Sequence, residues 1–201
     1  MNTSKNIILG LSASLLIALT TLSTLAYAAE TKETKETKPL VLFETSSGNI
    51  VIELYPNKAP ITVANFLKYV DDGFYNGTIF HRVVPGFVVQ GGGHTFDFQR
   101  KKTFESIKNE SDNGLKNLTR TLSMARTNAV DSATSQFFIN LKNNSSLDHN
   151  GEKFGYAVFG KVVEGFDVVK KIEKEPRGLH RSQPEAPNFA VVVEKASRIK
   201  P

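Results

Sequence analysis

The stretch Phe80-His81-Arg82-Val83-Val84-Pro85-Gly86-Phe87-Val88-Val89-Gln90-Gly91-Gly92-Gly93 decides how this chain reads. Ile79 to Val84 and Phe87 to Gln90 have the β-branched and aromatic content of strands. One arginine, Arg82, and one glutamine, Gln90, stand inside these apolar runs, and three glycines follow at once. No nucleophile or acid–base pair accompanies them. The combination suits a groove that holds a peptide and changes its shape, not one that cuts bonds.

Working outward, Leu40 to Phe43 and Ile50 to Tyr55 read as a hairpin around the turn residues Ser46-Ser47-Gly48-Asn49. In its second strand Ile50, Ile52 and Leu54 point one way, and Val51, Glu53 and Tyr55 the other. Pro60 opens a helix whose apolar stripe is Val63, Phe66, Leu67 and Val70, and Gly73 sits where the helix should end. Further short β-runs are Thr121–Ala125, Gln136–Leu141 and Tyr156–Val163. A second helix is expected over Phe166 to Ile172, a proline-bearing surface loop over Glu173 to Asn188, and a closing strand over Phe189 to Val193. Many strands and two helices suggest a barrel or sandwich with helices over its open ends.

The N-terminus reads as an address. Lys5 precedes an apolar run from Ile7 to Leu25, and Ala26-Tyr27-Ala28 offers small residues at the two spaced positions of a cleavage site. Residues 1–28 are expected to be a signal peptide; an uncleaved membrane anchor is the alternative. Residues 29–38 carry a Glu-Thr-Lys repeat with no apolar face, which reads as a disordered spacer. Residues 39–201 are long enough for one domain with its own core. The chain has no cysteine, so neither disulfides nor thiol chemistry are available, which suits an oxidising periplasm.

Composition narrows the chemistry. The net charge of +5 is spread along the chain, and the one basic triplet, Arg100-Lys101-Lys102, lacks aromatic stacking partners, so nucleic-acid binding is not expected. There is no Gly-x-Ser-x-Gly elbow in residues 29–201 and no phosphate-cradling loop. The histidines His81, His94, His149 and His180 lie far apart in sequence, so no metal site and no cofactor are expected. Asn76-Gly77-Thr78 and Asn117-Leu118-Thr119 fit the glycosylation pattern, relevant only in a pathway that glycosylates.

Two more blocks stand out: Leu122-Ser123-Met124-Ala125-Arg126 with Asp131 to Asn140, and Leu147-Asp148-His149 with Phe154 to Val162. Most of these residues could be core aromatics and strand bends, and a half-polar strand face could explain Arg82 and Gln90. In order and spacing, however, the three blocks resemble the cyclophilin family of peptidyl-prolyl isomerases, over about Pro39 to Ile199. With the N-terminal address, the chain looks most like the periplasmic cyclophilins of Gram-negative bacteria. The resemblance implies a mainly β fold, a closed eight-stranded antiparallel barrel capped by two α-helices.

Carried over position by position, the resemblance implies Arg82, Gln90 and Phe87 as catalytic residues. It implies Val88, Ala125, Arg126, Gln136, Phe138, Leu147 and Tyr156 as substrate-binding residues. Three positions depart from the family pattern: Ser146 stands where Trp is frequent, Tyr156 replaces a pocket histidine, and Arg126 replaces a groove asparagine. Weak cyclosporin binding is therefore expected. The implied partners are proline-containing unfolded or exported polypeptides. A monomer without stable membrane association after cleavage is expected, in the periplasm or released from it. A proline-recognising chaperone, and a host-interaction protein using the spacer or the Glu173–Asn188 loop, are the other readings.

Overall fold

The structure is a computed structural model that describes residues 38–180 and 183–199. The expected signal peptide and spacer residues 29–37 lie outside the described residues. Strands β1 (Leu40–Thr45) and β2 (Gly48–Leu54) form the expected hairpin, with Thr45 paired to Gly48. Ile50, Ile52 and Leu54 are fully buried, as their spacing requires. Helix α1 (Pro60–Asp71) begins at Pro60, whose missing N–H has no intrahelical role in a first turn. The next two amides are satisfied from afar: Ile61 and Thr62 donate to the Glu110 carboxylate at 3.0 and 2.8 Å. Gly73, at φ +66°, ends the helix and donates to the Val70 carbonyl.

The run read as one strand from Ile79 to Val84 is two, β3 (Thr78–Ile79) and β4 (Arg82–Val84). Strands β5 (Val88–Gly91), β6 (Thr121–Met124), β7 (Phe137–Asn140) and β8 (Val158–Glu164) fall close to the expected runs. Helix α2 (Phe166–Lys174) runs past the expected Ile172. The segment read as a surface loop contains β9 (Arg177–His180) and β10 (Gln183–Pro187), paired as a separate antiparallel hairpin. Among the residues whose burial is described there, Ala186 and Pro187 are buried side by side, which gives no alternation to read. The closing strand is β11 (Val192–Ile199), not Phe189–Val193; Phe189 is exposed. A register shift at Glu44/Thr45 and the polar outer residues Glu194, Lys195, Ser197 and Arg198 hide β11 from its pattern.

Among the described residues nine strands form one antiparallel sheet, in the order β3-β11-β1-β2-β8-β6-β7-β5-β4. Its edge strands, β3 and β4, are consecutive in the chain, with only Phe80 and His81 between them. That link spans ~11 Å at most, so the sheet must curl until its edges approach. The expected barrel is thus present in outline, but with nine strands. The covalent link at Phe80-His81, not a β3–β4 ladder, brings its edges together.

The inner face holds one core. Phe66 lies 5.0 Å from Phe159, and Phe43 and Tyr75 lie 5.6 and 5.7 Å from Phe137, ring centre to ring centre. Helix α1 adds Val63, Phe66, Tyr69 and Val70 to this cluster, and α2 adds Val169 and Ile172. Each such buried side chain contributes roughly 1.5–3 kcal/mol. With no cross-links in the chain, this burial has to carry the stability.

Candidate active site

Strand alternation separates the core from the site. In the β4–β5 hairpin Arg82 pairs with Gln90, Val83 with Val89, and Val84 with Val88. Val83 and Val89 are fully buried in the core, which turns Arg82, Val88 and Gln90 to the outer face. Strand β5 pairs with β7 so that Gln90 faces Phe138, and Phe138 in turn faces Ser123 on β6. Phe137 goes to the core and Phe138 to the outer face. One row across three strands therefore sets Arg82, Gln90 and Phe138 side by side.

Loops complete the enclosure. Phe87 comes from the β4–β5 turn, Ala125 and Arg126 follow β6, Leu147 ends a 3-10 turn (Ser145–Leu147), and Tyr156 precedes β8. With Arg82, Val88, Gln90 and Phe138 they line a cavity of about 250 Å³. Val88 and Phe138 are buried in its wall, and Arg82 and Gln90 are half-buried. The Phe138 and Tyr156 rings meet edge to face, 5.5 Å apart. Gln136 lies outside this lining and joins it by a hydrogen bond: Gln90 Nε2 donates to Gln136 Oε1 at 3.0 Å. Gly93 makes room for it, since a Cβ there would come within 2.5 Å of Gln136 Cγ.

Arg82 and Arg126 are used differently. Arg126 donates to the carbonyls of Gly155, Thr127 and Phe154 at 3.1, 2.9 and 2.7 Å, and its guanidinium lies 4.9 Å from the Tyr156 ring centre. It clasps the loop that carries Tyr156. Arg82 has one long contact, from Nη1 to Gln90 Oε1 at 3.4 Å, and an ion pair from Nε to Glu185 Oε2 at 2.6 Å. Ser146 is exposed and lines a neighbouring cavity of about 340 Å³ that shares Arg126 and Tyr156 with the first.

Two sets of residues escaped the sequence reading. Glu185 is one, because a glutamate in a polar, proline-bearing stretch carries no pattern. The other is a buried asparagine network behind the cavity. Asn144 Nδ2 donates to the Phe87 carbonyl at 3.0 Å and to Asn140 Oδ1 at 2.8 Å. Asn117 Nδ2 donates to the Leu147 carbonyl at 3.1 Å, and Ser123 Oγ donates to Asn117 Oδ1 at 2.7 Å. These bonds brace the two loops that present Phe87 and Leu147. The signal available was Asn140 closing an apolar strand, a residue type that strands disfavour. The network also buries Asn117, at 1% exposure, so the folded chain does not present that glycosylation pattern.

His81, next to Arg82, is held in its neutral form near neutral pH. Burial, then the His94 ring 4.2 Å away, push it down to about 3. Among the described residues no group of three or more histidines and carboxylates could hold a metal ion.

Residues 40–198 match the family model described as cyclophilin type peptidyl-prolyl cis-trans isomerase/CLD. Peptidyl-prolyl cis-trans isomerase A of Dickeya dadantii is 55% identical over 163 residues, which cover 80% of this chain and 84% of that protein. Peptidyl-prolyl cis-trans isomerase B of Escherichia coli K12 is 49% identical over 161 residues, 79% of this chain and 98% of that one. A crystal structure of a Cryptosporidium parvum cyclophilin type isomerase, obtained in the presence of the dipeptide Ala-Pro, superposes with a TM-score of 0.67. It has 26% sequence identity and covers 81% of this chain and 99% of that one. The outer-face cavity, the curled sheet that carries it and these relatives agree: the chain belongs to the cyclophilin-type peptidyl-prolyl cis-trans isomerases.

Proposed function

We propose that this isomerase turns X–Pro bonds of exported polypeptides in the periplasm, with Arg82 stabilising the twisted amide. The barrier is ~18–20 kcal/mol because rotation breaks amide resonance. A catalyst must bind the twisted amide better than either planar form. Twisting localises a lone pair on the proline nitrogen. A guanidinium N–H aimed there makes a hydrogen bond that is strong only in the twisted state.

The observation that carries this reading is that Arg82 lines the same cavity as the apolar side chains of Phe87, Val88, Phe138 and Leu147. Those side chains would hold the proline ring with little water. Gln90, itself held by Gln136, would anchor the flanking backbone while the other end rotates. No covalent intermediate is required. Export is supported by Ala26-Tyr27-Ala28 after an apolar run, and N-terminal sequencing of the protein recovered from cells tests it.

The enzymatic test is cis-to-trans isomerisation of a short Ala-Pro peptide. Arg82→Ala should lower kcat about 100-fold or more, the cost of losing one donor to developing charge. Arg82→Lys should not restore it, because a point charge on a flexible stem lacks the planar fork. Full turnover by a folded Arg82→Ala variant would refute the mechanism.

A further inference from the structure

The β9–β10 hairpin reaches the outer face beside β4 and brings one carboxylate to the cavity's arginine. Glu185 Oε2 lies 2.6 Å from Arg82 Nε. Both side chains are about one-third exposed, at 35% for Arg82 and 38% for Glu185, so the pair adds little stability. Its consequence is geometric. A carboxylate seated against Nε limits how far the guanidinium can swing out of the cavity. The weaker contact from Nη1 to Gln90 holds a second corner. Nη2 has no partner among the described residues.

The hairpin and the β4–β5 turn are tied to the same helix end. Arg177 Nη1 donates to the carbonyls of Glu173 and Glu175 at 2.8 and 3.0 Å, closing the C-terminus of α2. The Asn188 amide donates to the Pro176 carbonyl at 2.7 Å and shuts the base of the hairpin. The Glu173 side chain accepts from the Gly86 amide at 2.7 Å, in the turn between Arg82 and Phe87. Ala186, the neighbour of Glu185, is fully buried and fixes the strand in depth. Carboxylate and guanidinium thus share one frame, although more than a hundred residues separate them.

We infer that Glu185 is a positioning residue for Arg82. Its carboxylate holds the guanidinium plane at the angle from which the free nitrogen meets the proline amide. The inference rests on the catalytic reading of Arg82. It predicts that Glu185→Ala lowers kcat about tenfold, since a displacement of the order of 1 Å in a reacting group can cost up to ~100-fold and Gln90 still holds one corner. KM should stay within about twofold, because the apolar cavity is untouched. Glu185→Gln keeps an acceptor for Nε and should return kcat to within about threefold of wild type.

The experiment measures kcat and KM on an Ala-Pro peptide for the purified wild-type protein and four variants. They are Glu185→Ala, Glu185→Gln, Arg82→Ala and the double variant Arg82→Ala/Glu185→Ala, each checked for an unchanged melting temperature. If Glu185 acts through Arg82, its removal changes nothing further once Arg82 is gone. Wild-type turnover by Glu185→Ala beside an inactive Arg82→Ala would overturn the inference and leave the mechanism standing. An equal loss from Glu185→Ala in both backgrounds would also overturn it. Full activity in Arg82→Ala would instead remove the mechanism on which it rests.

Discussion

Asn144→Ala tests whether the buried asparagine network holds the cavity in shape. Asn144 is 3% exposed, and its Nδ2 serves two acceptors, the Phe87 carbonyl at 3.0 Å and Asn140 Oδ1 at 2.8 Å. Truncation affects them unequally. The Phe87 carbonyl keeps the Leu141 amide at 2.9 Å, so it loses one of two donors. Asn140 Oδ1 has no other donor among the described residues, and Asn140 is fully buried. An orphaned buried acceptor costs about 1–3 kcal/mol. Asn144 Oδ1 itself has no partner, so its removal costs nothing further. The expected net loss is about 2 kcal/mol, or roughly 4–8 °C in Tm for a domain of this size. Urea unfolding gives the free energy. Saturation kinetics on an Ala-Pro peptide give the functional half: KM should rise, because the Phe87 carbonyl loses one of its two ties. A variant within about 0.5 kcal/mol of wild type, with unchanged KM, would refute the idea that these bonds support the cavity.

Two further outcomes follow from the same geometry. His81 is pushed down to about 3 in the fold, against about 6.5 in the unfolded chain, so the unfolded state takes up a proton the folded state refuses. Its contribution is complete above pH ~6.5 and is lost as pH falls toward 3, at up to about 1.4 kcal/mol per pH unit. Denaturant unfolding at pH 7 and pH 5 should differ by about 2 kcal/mol from this residue, and His81→Leu should flatten that slope; an unchanged slope would contradict the assignment. Ser146→Trp should tighten inhibition by cyclosporin about tenfold or more by supplying an apolar wall and an indole N–H beside Tyr156, and equal inhibition of both proteins would show that the Ser146 position does not set affinity.

Strand alternation and glycine placement carried most of the fold into view. Arg82 and Gln90 were visible because a charged and an amide side chain interrupt apolar β-runs, and Phe137-Phe138 divides between core and cavity by period two alone. Spacing could not show partners from far along the chain. Glu185 meets Arg82 only because Arg177 and Ala186 seat a hairpin whose polar and proline content mimics a loop. Asn117 and Asn144 fell in stretches read as loops and Asn140 in a strand, since nothing local distinguishes a buried asparagine with partners from an exposed one. Arg126, expected at the groove, lines the same cavity as Arg82, yet three carbonyls occupy its donors, a fact of loop geometry that no sequence spacing encodes.

The position of β11 has a consequence for the order in which the molecule can assemble. The last strand inserts between β3 and β1, pairing Leu40 with Ile199 and Thr78 with Val193. A chain made from its N-terminus can form the β1–β2 and β4–β5 hairpins early, since those contacts are local. It cannot join β1 to β3 until residues 192–199 exist. Until then the outer edge of β1 and the core beneath it stay open to other chains. A catalyst of X–Pro rotation is thereby itself a late finisher, its sheet complete only once residues 192–199 have joined β1 to β3.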